Sequence, residues 1–377
     1  MIGIYGGAFD PPHSEHVKIV RELFQEQFFE KIVIVPSCDP PHKTFLTPFA
    51  IRKRMIEKAF QGADVIIDDI EETFEEKAYS SEILPLLKRK YGEITFIIGG
   101  DSLLAFSTWH LPQDILKVCP ILVIPRGEEE IESLRAVARR FMEDWGGRIE
   151  IAEKIKGEDI SSSEIRAAVD LDADTPCLDP DVRAIIEEEN LYKDHSEMVE
   201  KVRSALPQKR WDHTCKVVLT GLKMNAEIGL PREKVFVACL LHDCMKYAEK
   251  VYDGVPKDTI GTKVLHAFNG AEEAHFGYGI EDEDILNAVR YHTTGRAGMS
   301  SLEKLVYVAD MIEPNRTFEG VEELRTLTKR SLDLGFEACI RYSYAHLALL
   351  GKPIYYLTVE CYNYYCKGDE NGERYAH

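Results

Sequence analysis

The first half of the chain alternates two hydrophobic patterns. Short β-branched runs predict strands at Ile2–Tyr5, Lys31–Pro36, Val65–Asp69, Ile94–Ile98, Ile121–Pro125 and Ile149–Ala152. The stretches between them repeat apolar residues at helical spacing, as in Val17–Phe28, Pro48–Phe60, Ser80–Tyr91 and Ile131–Trp145. Because strands that alternate with helices form βαβ crossovers, we predict an α/β fold with a doubly wound parallel sheet. Ligands bind such sheets at the carboxyl ends of the strands.

After Lys193 the strand pattern disappears and only helical periodicity remains. Helices are predicted at Glu197–Leu206, His213–Ile228, Val235–Leu241, Asp284–Tyr291, Ser301–Ile312 and Phe336–Leu349. We therefore expect an all-α second domain. The joint falls within Tyr192–Lys209, which has no Gly/Ser-rich linker, and we divide the chain into residues 1–193 and 194–377.

The composition of the chain excludes several classes of protein. The chain has 377 residues, too many for one ordinary core, and its net charge is −19. An acidic protein lacks the positive face that binds nucleic acid or anionic membranes. We see no apolar run of the roughly 18 residues that span a membrane and no signal peptide. Nine cysteines without a CxxC pair fit reduced thiols, so we expect a cytoplasmic protein. The oligomeric state stays open.

The first predicted strand runs into a loop with unusual chemistry. Gly6 and Gly7 are followed by the string AFDPPHSEH. Two glycines let the backbone approach a ligand closely, and Ser14 is the expected N-cap of the next helix. His13 and His16 are three residues apart, so they can share the helix N-terminus, where phosphate is attracted. Taken alone, the two histidines fit an ordinary surface turn equally well.

This string resembles the GG[ST]FDPxHxGH signature of the nucleotidyltransferases that adenylylate small phosphorylated cofactor precursors. Further strings are similar to other motifs of that family: PPHK at 40–43, AYSS at 78–81, FIIGGD at 96–101 with Trp109 after it, and ISSSEIR at 160–166. The resemblance covers about residues 1–193 and is nearest to the bacterial nicotinate mononucleotide adenylyltransferases, which have a Rossmann-like fold. Ala8 and Glu15 depart from the signature, which has Ser or Thr and Gly at those positions.

The resemblance implies transfer of an adenylyl group from ATP, bound with Mg²⁺, to nicotinate mononucleotide during NAD biosynthesis. Such a transfer needs positioning and charge neutralisation more than a covalent nucleophile. The implied catalytic residues are His13, His16, Lys43 and Arg166. The implied ATP- or substrate-binding residues are Gly6, Gly7, Phe9, Asp10, His13, His16, Lys43, Ser80, Gly99, Asp101, Trp109, Arg126, Ser162, Ser163 and Arg166.

Several of these residues have a physical role that can be stated in advance. Ser162 and Ser163 open a predicted helix, so their amides and hydroxyls would form an anion nest. Asp101 would accept hydrogen bonds from ribose hydroxyls, and Trp109 would stack on the nicotinate ring or simply belong to the core. We expect Glu15 to crowd the phosphate and weaken ATP binding; alternatively, it is rotated away from His16 and faces solvent.

The second half contains an ordered set of possible metal ligands. They are His213, His242, Asp243, His266, His292 and Asp310. Imidazoles and carboxylates carried on helices suit one or two divalent transition metals. Each histidine by itself fits an ordinary core or surface position, but chance explains the whole ordered set poorly.

The strings LLHDCMK, HTTGR and ADMIEP resemble the HD-domain metal-dependent phosphohydrolases. They are similar, over about residues 197–365, to bacterial enzymes that split diadenosine tetraphosphate symmetrically into two ADP. The resemblance implies two divalent metals, identified as iron. His213, His242, Asp243 and Asp310 would bind one ion, and the catalytic Asp243 would bridge to a second ion held by His266 and His292. Lys246 and Arg296 are the implied phosphate contacts.

We therefore expect a bifunctional enzyme that acts on ATP, nicotinate mononucleotide and a dinucleoside polyphosphate. One alternative joins a pantetheine-phosphate or other adenylyltransferase to a different nucleotide phosphohydrolase. The other is a non-catalytic nucleotide sensor or scaffold, which Ala8 and Glu15 would favour.

Overall fold

The computed structural model describes residues 1–38, 47–75, 77–155, 157–158 and 160–367. The chain divides into two compact units: Met1–Arg166 with Asp174–Tyr192, and Ala167–Ala173 with Lys193–His377. The predicted domains, residues 1–193 and 194–377, stay a prediction, and the division in the structure adds residues 167–173 to the second unit.

One parallel sheet organises the first unit, as predicted. Its strands are β1 (Ile2–Gly7), β2 (Lys31–Pro36), β3 (Val65–Ile67), β4 (Ile94–Gly99), β5 (Ile121–Ile124) and β6 (Ile149–Ile151). Their order is β3-β2-β1-β4-β5-β6, and each neighbouring pair is parallel. The direction in which the chain adds strands reverses between β1 and β4. In an open α/β sheet this reversal creates a crevice at the carboxyl ends of the strands.

Helices cover both faces of the sheet. They are α1 (Ser14–Gln25), α2 (Phe49–Ala59), α3 (Ser80–Tyr91), α4 (Gly100–Leu104), α5 (Pro112–Val118), α6 (Glu128–Trp145), α7 (Ser162–Asp170) and α8 (Pro180–Glu188), with 3₁₀ turns at Ile70–Thr73 and Phe106–Thr108. Alternate residues of β2 enter different cores, because Val33 and Val35 join one buried cluster while Ile32 and Ile34 join the other. A parallel sheet buried on both faces explains why its strands are continuous apolar runs.

Helix α1 begins differently from the sequence prediction. Its N-cap is His13, in an extended conformation, so the expectation that Ser14 caps the helix is wrong. The backbone N–H of His13 donates to Nδ1 of His16 at 3.2 Å, and the N–H of Ser14 donates to the carbonyl of Cys177 at 2.8 Å. The histidine at the third helical position therefore does what an acidic side chain does in a capping box.

The described part of the second unit is helical, as predicted. Its helices are α9 (Ser196–Ala205), α10 (Gln208–Ile228), α11 (Arg232–Leu241), α12 (Leu265–Tyr278), α13 (Glu283–Tyr291), α14 (Ser301–Ile312), α15 (Val321–Arg330), α16 (Leu332–Leu349) and α17 (Tyr356–Cys366), with a 3₁₀ turn at Lys257–Thr259. Seven consecutive residues of α11, from Val235 to Leu241, are buried. This helix therefore lies in the core and brings His242 to the interior at its C-terminal end. Among the described residues, no helix combines the length and the apolar character that crossing a membrane requires.

Candidate active sites

A large cleft opens at the predicted edge of the sheet. Its volume is about 990 Å³, and it lies at the carboxyl ends of β1 and β4, where the strand order reverses. Six of the predicted binding residues line it: Gly6, Gly7, Ser80, Gly99, Asp101 and Trp109. Its volume lies at the upper end of the usual range of small-molecule sites. The structure thus brings these six residues to one site.

Trp109 forms part of the apolar wall of this cleft. Its ring centroid lies 6.2 Å from that of Phe96 and 5.5 Å from that of Phe106, so the indole packs against the core while it lines the cleft. The two sequence interpretations of Trp109, as a stacking residue and as a core residue, are therefore compatible. Asp101 also lines the cleft, and it accepts a hydrogen bond from Nη2 of Arg126 at 2.8 Å.

The two histidines of the loop after β1 stack on each other. Their ring centroids are 3.8 Å apart, and the His16 ring is 6.2 Å from Tyr5, which lines the cleft. Because Nδ1 of His16 accepts the N–H of His13, a neutral His16 carries its proton on Nε2 and can donate it. Burial lowers the pKa of His13 to about 4, so this ring is neutral at pH 7.

The start of α7 meets the same loop. Oγ of Ser162 donates to the carbonyl of Pro11 at 2.9 Å, and Nη1 of Arg166 donates to the carbonyl of Asp10 at 2.5 Å. Nη2 of Arg166 also donates to Oγ of Ser163 at 3.0 Å. The structure therefore gathers the serines and the arginine of the ISSSEIR string beside the histidine loop, as the phosphate-site hypothesis requires.

Two predicted binding residues turn inward. The side chains of Phe9 and Asp10 are each 2% exposed. Oδ1 of Asp10 accepts a hydrogen bond from the hydroxyl of Tyr192 at 2.6 Å, and Oδ2 accepts one from the N–H of Thr47. The structure thus gives these two side chains burial and, for Asp10, internal hydrogen-bond partners, and their predicted role in ligand binding stays a prediction.

Arg52 was not among the predicted site residues. It is 1% exposed and donates to the carbonyls of Ala8 at 2.7 Å, Thr47 at 2.8 Å and Cys38 at 3.2 Å. It thus ties the loop after β1 to Cys38 and Thr47. Arg52 belongs to the string RKRM at residues 52–55. This string predicts a helix with several cations, but it does not indicate which of them is buried. Lys43 and the rest of the predicted PPHK string lie outside the described residues.

Glu15 is buried rather than solvent-facing. Its Oε1 accepts the backbone N–H of Glu158 at 2.9 Å, and its Oε2 lies 3.6 Å from Nζ of Lys18. Lys18 also pairs with the Glu158 carboxylate at 2.9 Å. Burial raises the pKa of Glu15, and the Glu158 amide and Lys18 offset part of that rise. These contacts direct the carboxylate toward the segment before α7.

The second unit contains a buried cluster centred on Asp243. Oδ1 of this aspartate lies 3.1 Å from Nε2 of His266 and 3.5 Å from Nε2 of His292. Its Oδ2 lies 3.6 Å from Nε2 of His242. On the far side, Nε2 of His213 lies 2.9 Å from Oδ1 of Asp310. The structure thus brings together all six of the predicted metal ligands.

Two groups in this cluster could each hold a metal ion. One is His213, His242 and Asp243, and the other is Asp243, His266 and His292. In each group the ligand atoms lie within 4.8 Å of one another. Asp243 belongs to both groups, as a bridging ligand must.

Backbone carbonyls orient the imidazoles. Nδ1 of His242, His266 and His292 lies 2.6, 2.8 and 2.7 Å from the carbonyl three residues earlier. Each neutral ring therefore carries its proton on Nδ1 and directs the Nε2 lone pair at the cluster, the usual arrangement of metal-binding histidines. Burial lowers the pKa of His242 to about 4. Burial alone would raise the pKa of Asp243, but His242, His266 and His292 hold it well below its usual value.

The hydrogen bonding of the cluster indicates whether its residues fit a metal. Nε2 of His213, Nε2 of His242 and Oδ1 of Asp243 are buried and, among the described residues, make no hydrogen bond of acceptable geometry, although polar and charged atoms lie close to them. An unsatisfied buried polar atom costs about 1–3 kcal/mol. A cation bound by these lone pairs removes that cost at all three atoms, so the residues fit a divalent metal.

Comparisons with known proteins agree with both sites. The family model described as Cytidylyltransferase-like matches residues 4–168, and the HD domain model matches residues 210–315. A probable nicotinate-nucleotide adenylyltransferase of Thermosipho melanesiensis is 33% identical over 165 residues, which are 43% of this chain and 82% of that protein. A symmetrical bis(5'-nucleosyl)-tetraphosphatase of Halalkalibacterium halodurans is 36% identical over 171 residues, which are 43% of this chain and 91% of that protein. The chain therefore belongs to the family of the nicotinate-nucleotide adenylyltransferases through its first part and to that of the symmetrical bis(5'-nucleosyl)-tetraphosphatases through its second part.

A relative in Mycoplasma genitalium carries both activities in its name. It is named a probable nicotinate-nucleotide adenylyltransferase/Ap4A hydrolase and is 24% identical over 356 residues. The match covers 90% of this chain and 96% of the relative. The match therefore extends over both units of this chain.

Of the two phosphate contacts predicted in the HD unit, only one borders the metal ligands in this structure. Nζ of Lys246 lies 2.9 Å from Nε2 of His266 and 3.3 Å from Oδ1 of Asp243. Arg296 instead donates twice to Glu303, at 2.8 and 2.6 Å, and that carboxylate is 1% exposed. The buried pair occupies the Arg296 guanidinium, so the structure does not support the predicted phosphate contact.

Two further cations border the metal ligands. Nη1 of Arg210 lies 2.9 Å from Oδ2 of Asp243, and Nη2 of Arg316 lies 2.6 Å from Oδ1 of Asp310. Both guanidinium groups are partly exposed. Arg210 precedes His213 by three residues, a helical spacing that could have identified it. No comparable signal identifies Arg316, which follows the helix that carries Asp310.

Proposed function

We propose that the chain is a bifunctional enzyme. The nucleotidyltransferase unit transfers the adenylyl group of ATP to nicotinate mononucleotide, and pyrophosphate leaves. The HD unit hydrolyses diadenosine tetraphosphate symmetrically to two ADP. The names of relatives that match each unit, and of the Mycoplasma genitalium relative that matches both, support this pairing. No feature favours the pantetheine-phosphate alternative.

For the transferase, the supporting observation is the cleft at the strand reversal beside the histidine loop. In the reaction a phosphate oxygen of the mononucleotide bonds to the α-phosphorus of ATP while the bond to the pyrophosphate oxygen breaks. No proton has to be removed from the attacking oxygen. His16 would donate from Nε2 to the reacting phosphate, and Arg166 would add positive charge. Trp109 would face the ring of the mononucleotide from the cleft wall.

Charge neutralisation in this unit has to be local. The chain has a net charge of −19, so ATP cannot rely on a general positive field. We propose that ATP enters as its Mg²⁺ complex and that Ser162, Ser163 and Arg166 bind its phosphates at the start of α7. Asp101, held by Arg126, would accept hydrogen bonds from ribose hydroxyls.

For the hydrolase, the supporting observation is the convergence of two groups of possible ligands on Asp243, in which three buried atoms make no hydrogen bond of acceptable geometry. His213, His242, Asp243 and Asp310 would hold one divalent ion, and Asp243, His266 and His292 a second. Bound divalent ions supply Lewis-acid charge and lower the pKa of coordinated water. We propose iron, which imidazole ligands accommodate well. Lys246, Arg210 and Arg316 would bind the polyphosphate oxygens, since all three cations lie beside the ligand carboxylates.

The experiment that tests the pairing uses the full chain. Purified protein is incubated with ATP and nicotinate mononucleotide, with ATP and pantetheine phosphate, and with diadenosine tetraphosphate. We expect nicotinate adenine dinucleotide from the first mixture, no dinucleotide from the second and ADP from the third. If the protein forms neither nicotinate adenine dinucleotide from the first mixture nor ADP from the third, the result would contradict the proposal and favour a nucleotide sensor. Cytoplasmic location and the lack of a nucleic-acid partner stay predictions, and the oligomeric state stays open.

A further inference from the structure

The Glu15 carboxylate joins two segments that are far apart in sequence. It projects from the first turn of α1, yet its Oε1 accepts the N–H of Glu158, 143 positions later. Lys18, one turn along the same helix, pairs with the side chain of Glu158 at 2.9 Å and lies 3.6 Å from Glu15. Glu15 is 4% exposed. One carboxylate thus fixes α1 to residue 158 through its backbone, with Lys18 bridging the side chains.

The two joined segments each lead to a part of the phosphate site. His16 follows Glu15 directly in α1, and Ser162 starts α7 four residues after Glu158. A second link joins the same two segments, since Ser162 donates to the carbonyl of Pro11 and Arg166 to that of Asp10. If one triphosphate contacts both His16 and α7, its binding depends on the separation between them. The Glu15 contact helps to set this separation.

The contacts of the Glu15 carboxylate also disagree with the expectation that Glu15 crowds the phosphate and weakens ATP binding. A carboxylate that repelled phosphate would have to face the ligand beside His16. Here both carboxylate oxygens are engaged, one by a backbone N–H and the other near an ammonium group. Crowding of the phosphate by Glu15 is therefore not what the structure supports.

We propose that Glu15 is a positioning residue of the transferase, which holds α1 and the segment before α7 together so that His16 and the start of α7 bind the same ATP. The inference rests on the proposed adenylyl transfer. The proposal assigns a function to Glu15, which stands where the HxGH string of the signature has glycine. A glycine at this position could not make the link, because the link is made by the side chain.

Steady-state kinetics of the full-length protein test this inference. Glu15→Ala removes the link, whereas Glu15→Gln keeps a side-chain oxygen for the Glu158 amide and removes only the charge. We expect Glu15→Ala to raise the KM for ATP by about tenfold, the size of losing one hydrogen bond to a charged group. The KM for nicotinate mononucleotide should stay within about twofold, and Glu15→Gln should stay within about threefold of wild type for both substrates.

Two controls separate positioning from general damage. Glu22→Gln removes a carboxylate from the same helix, for which the structure gives no side-chain hydrogen bond, and should match wild type. Hydrolysis of diadenosine tetraphosphate by each preparation reports the amount of chain with an intact HD unit, and a wild-type KM for nicotinate mononucleotide reports that the transferase unit has folded. If Glu15→Ala is insoluble, Lys18→Met tests the same link from its other side and should raise the KM for ATP by about threefold.

Several results would overturn the inference. A lower KM for ATP in Glu15→Gln would show repulsion instead of positioning. Equal KM values for wild type and Glu15→Ala would show that the link is unimportant, as would an unchanged Lys18→Met. If Glu15→Ala raised the KM for ATP and the KM for nicotinate mononucleotide by similar factors, Glu15 would have a merely structural role. Wild-type protein that forms no dinucleotide but hydrolyses its other substrate would overturn the proposed transferase function itself.

Discussion

The two sites solve the same problem, the handling of charged phosphates, with opposite arrangements. In the nucleotidyltransferase unit, His16, the α7 serines and Arg166 cluster next to an open cleft, and backbone carbonyls hold Ser162 and Arg166. In the HD unit the four histidines and Asp243 are buried, and three of their possible ligand atoms make no hydrogen bond of acceptable geometry. The first site needs only its substrates to become complete, whereas the second also needs cations. The two activities should therefore fail independently.

The largest effect that sharpens this comparison is expected at Asp243. Glu15 and the histidine loop are remote from it in sequence, and Asp243 belongs to both groups of possible metal ligands. Asp243→Ala should lower hydrolysis by about 10³-fold or more and remove bound metal, since even residues that only support a metal ligand matter about 10–100-fold. Dinucleotide synthesis should not change. Metal analysis and both assays on one preparation check this.

Asp212→Ala is the matched control for that experiment. Asp212 is an exposed carboxylate on α10, directly beside His213 in sequence, and it accepts a hydrogen bond from Nε2 of Gln208 at 2.7 Å. It should retain metal and hydrolysis. Full hydrolysis by metal-free Asp243→Ala would refute the metal centre.

The converse experiment concerns His16. His16→Ala should lower dinucleotide synthesis by roughly 10²-fold, the size of losing one donor to the transition state. Hydrolysis should be unaffected, because His16 lies in the other unit. Rates of both reactions are measured on the same preparation. A mutant that still synthesises dinucleotide at the wild-type rate would remove His16 from the mechanism.

Sequence reasoning found what local patterns encode. The strands could be predicted from apolar runs because both faces of the sheet are buried. The candidate metal ligands could be proposed because four of the six lie in the strings LLHDCMK, HTTGR and ADMIEP. It missed what depends on distant pairing. Asp10 and Tyr192 are 182 positions apart, so nothing local shows that the Asp10 carboxylate is already occupied. The same holds for Glu15 and Glu158.

Helix α12 shows a second limit. It carries His266 but was not predicted, because its buried residues include Ala267, Phe268, Asn269, Gly270 and Ala271 in succession. A helix that is buried nearly all round has no polar face and hence little amphipathic periodicity. Arg296 shows a related limit, since the motif that suggests a phosphate contact does not reveal that the buried Glu303 carboxylate pairs with this cation.

A smaller effect should distinguish the cations of the HD unit. Arg210→Gln should raise the KM for diadenosine tetraphosphate by about tenfold, as expected for losing a charge-assisted hydrogen bond to phosphate, with metal content unchanged. Arg296→Gln serves as the control and should lower thermal stability without a selective change in KM. Loss of metal from Arg210→Gln would show instead that the arginine only orients Asp243.

The smallest effect is expected in the cleft. Trp109→Ala should raise the KM for nicotinate mononucleotide by about fivefold, since aromatic stacking contributes roughly 0.5–1.5 kcal/mol beyond buried area. Trp109→Phe keeps a ring and should recover most of the loss. The KM for ATP is the internal reference. Equal changes for both substrates in Trp109→Ala would mean that the indole only supports the core.

The most direct test of two independent sites is removal of the metal from the intact chain. Chelator-treated protein, returned to buffer with Mg²⁺, should synthesise nicotinate adenine dinucleotide at the untreated rate and should not hydrolyse diadenosine tetraphosphate. Hydrolysis should return with Fe²⁺ but not with Mg²⁺ alone, because histidine-rich ligand sets favour transition metals. Loss of both activities together, or hydrolysis that persists without a transition metal, would contradict the account.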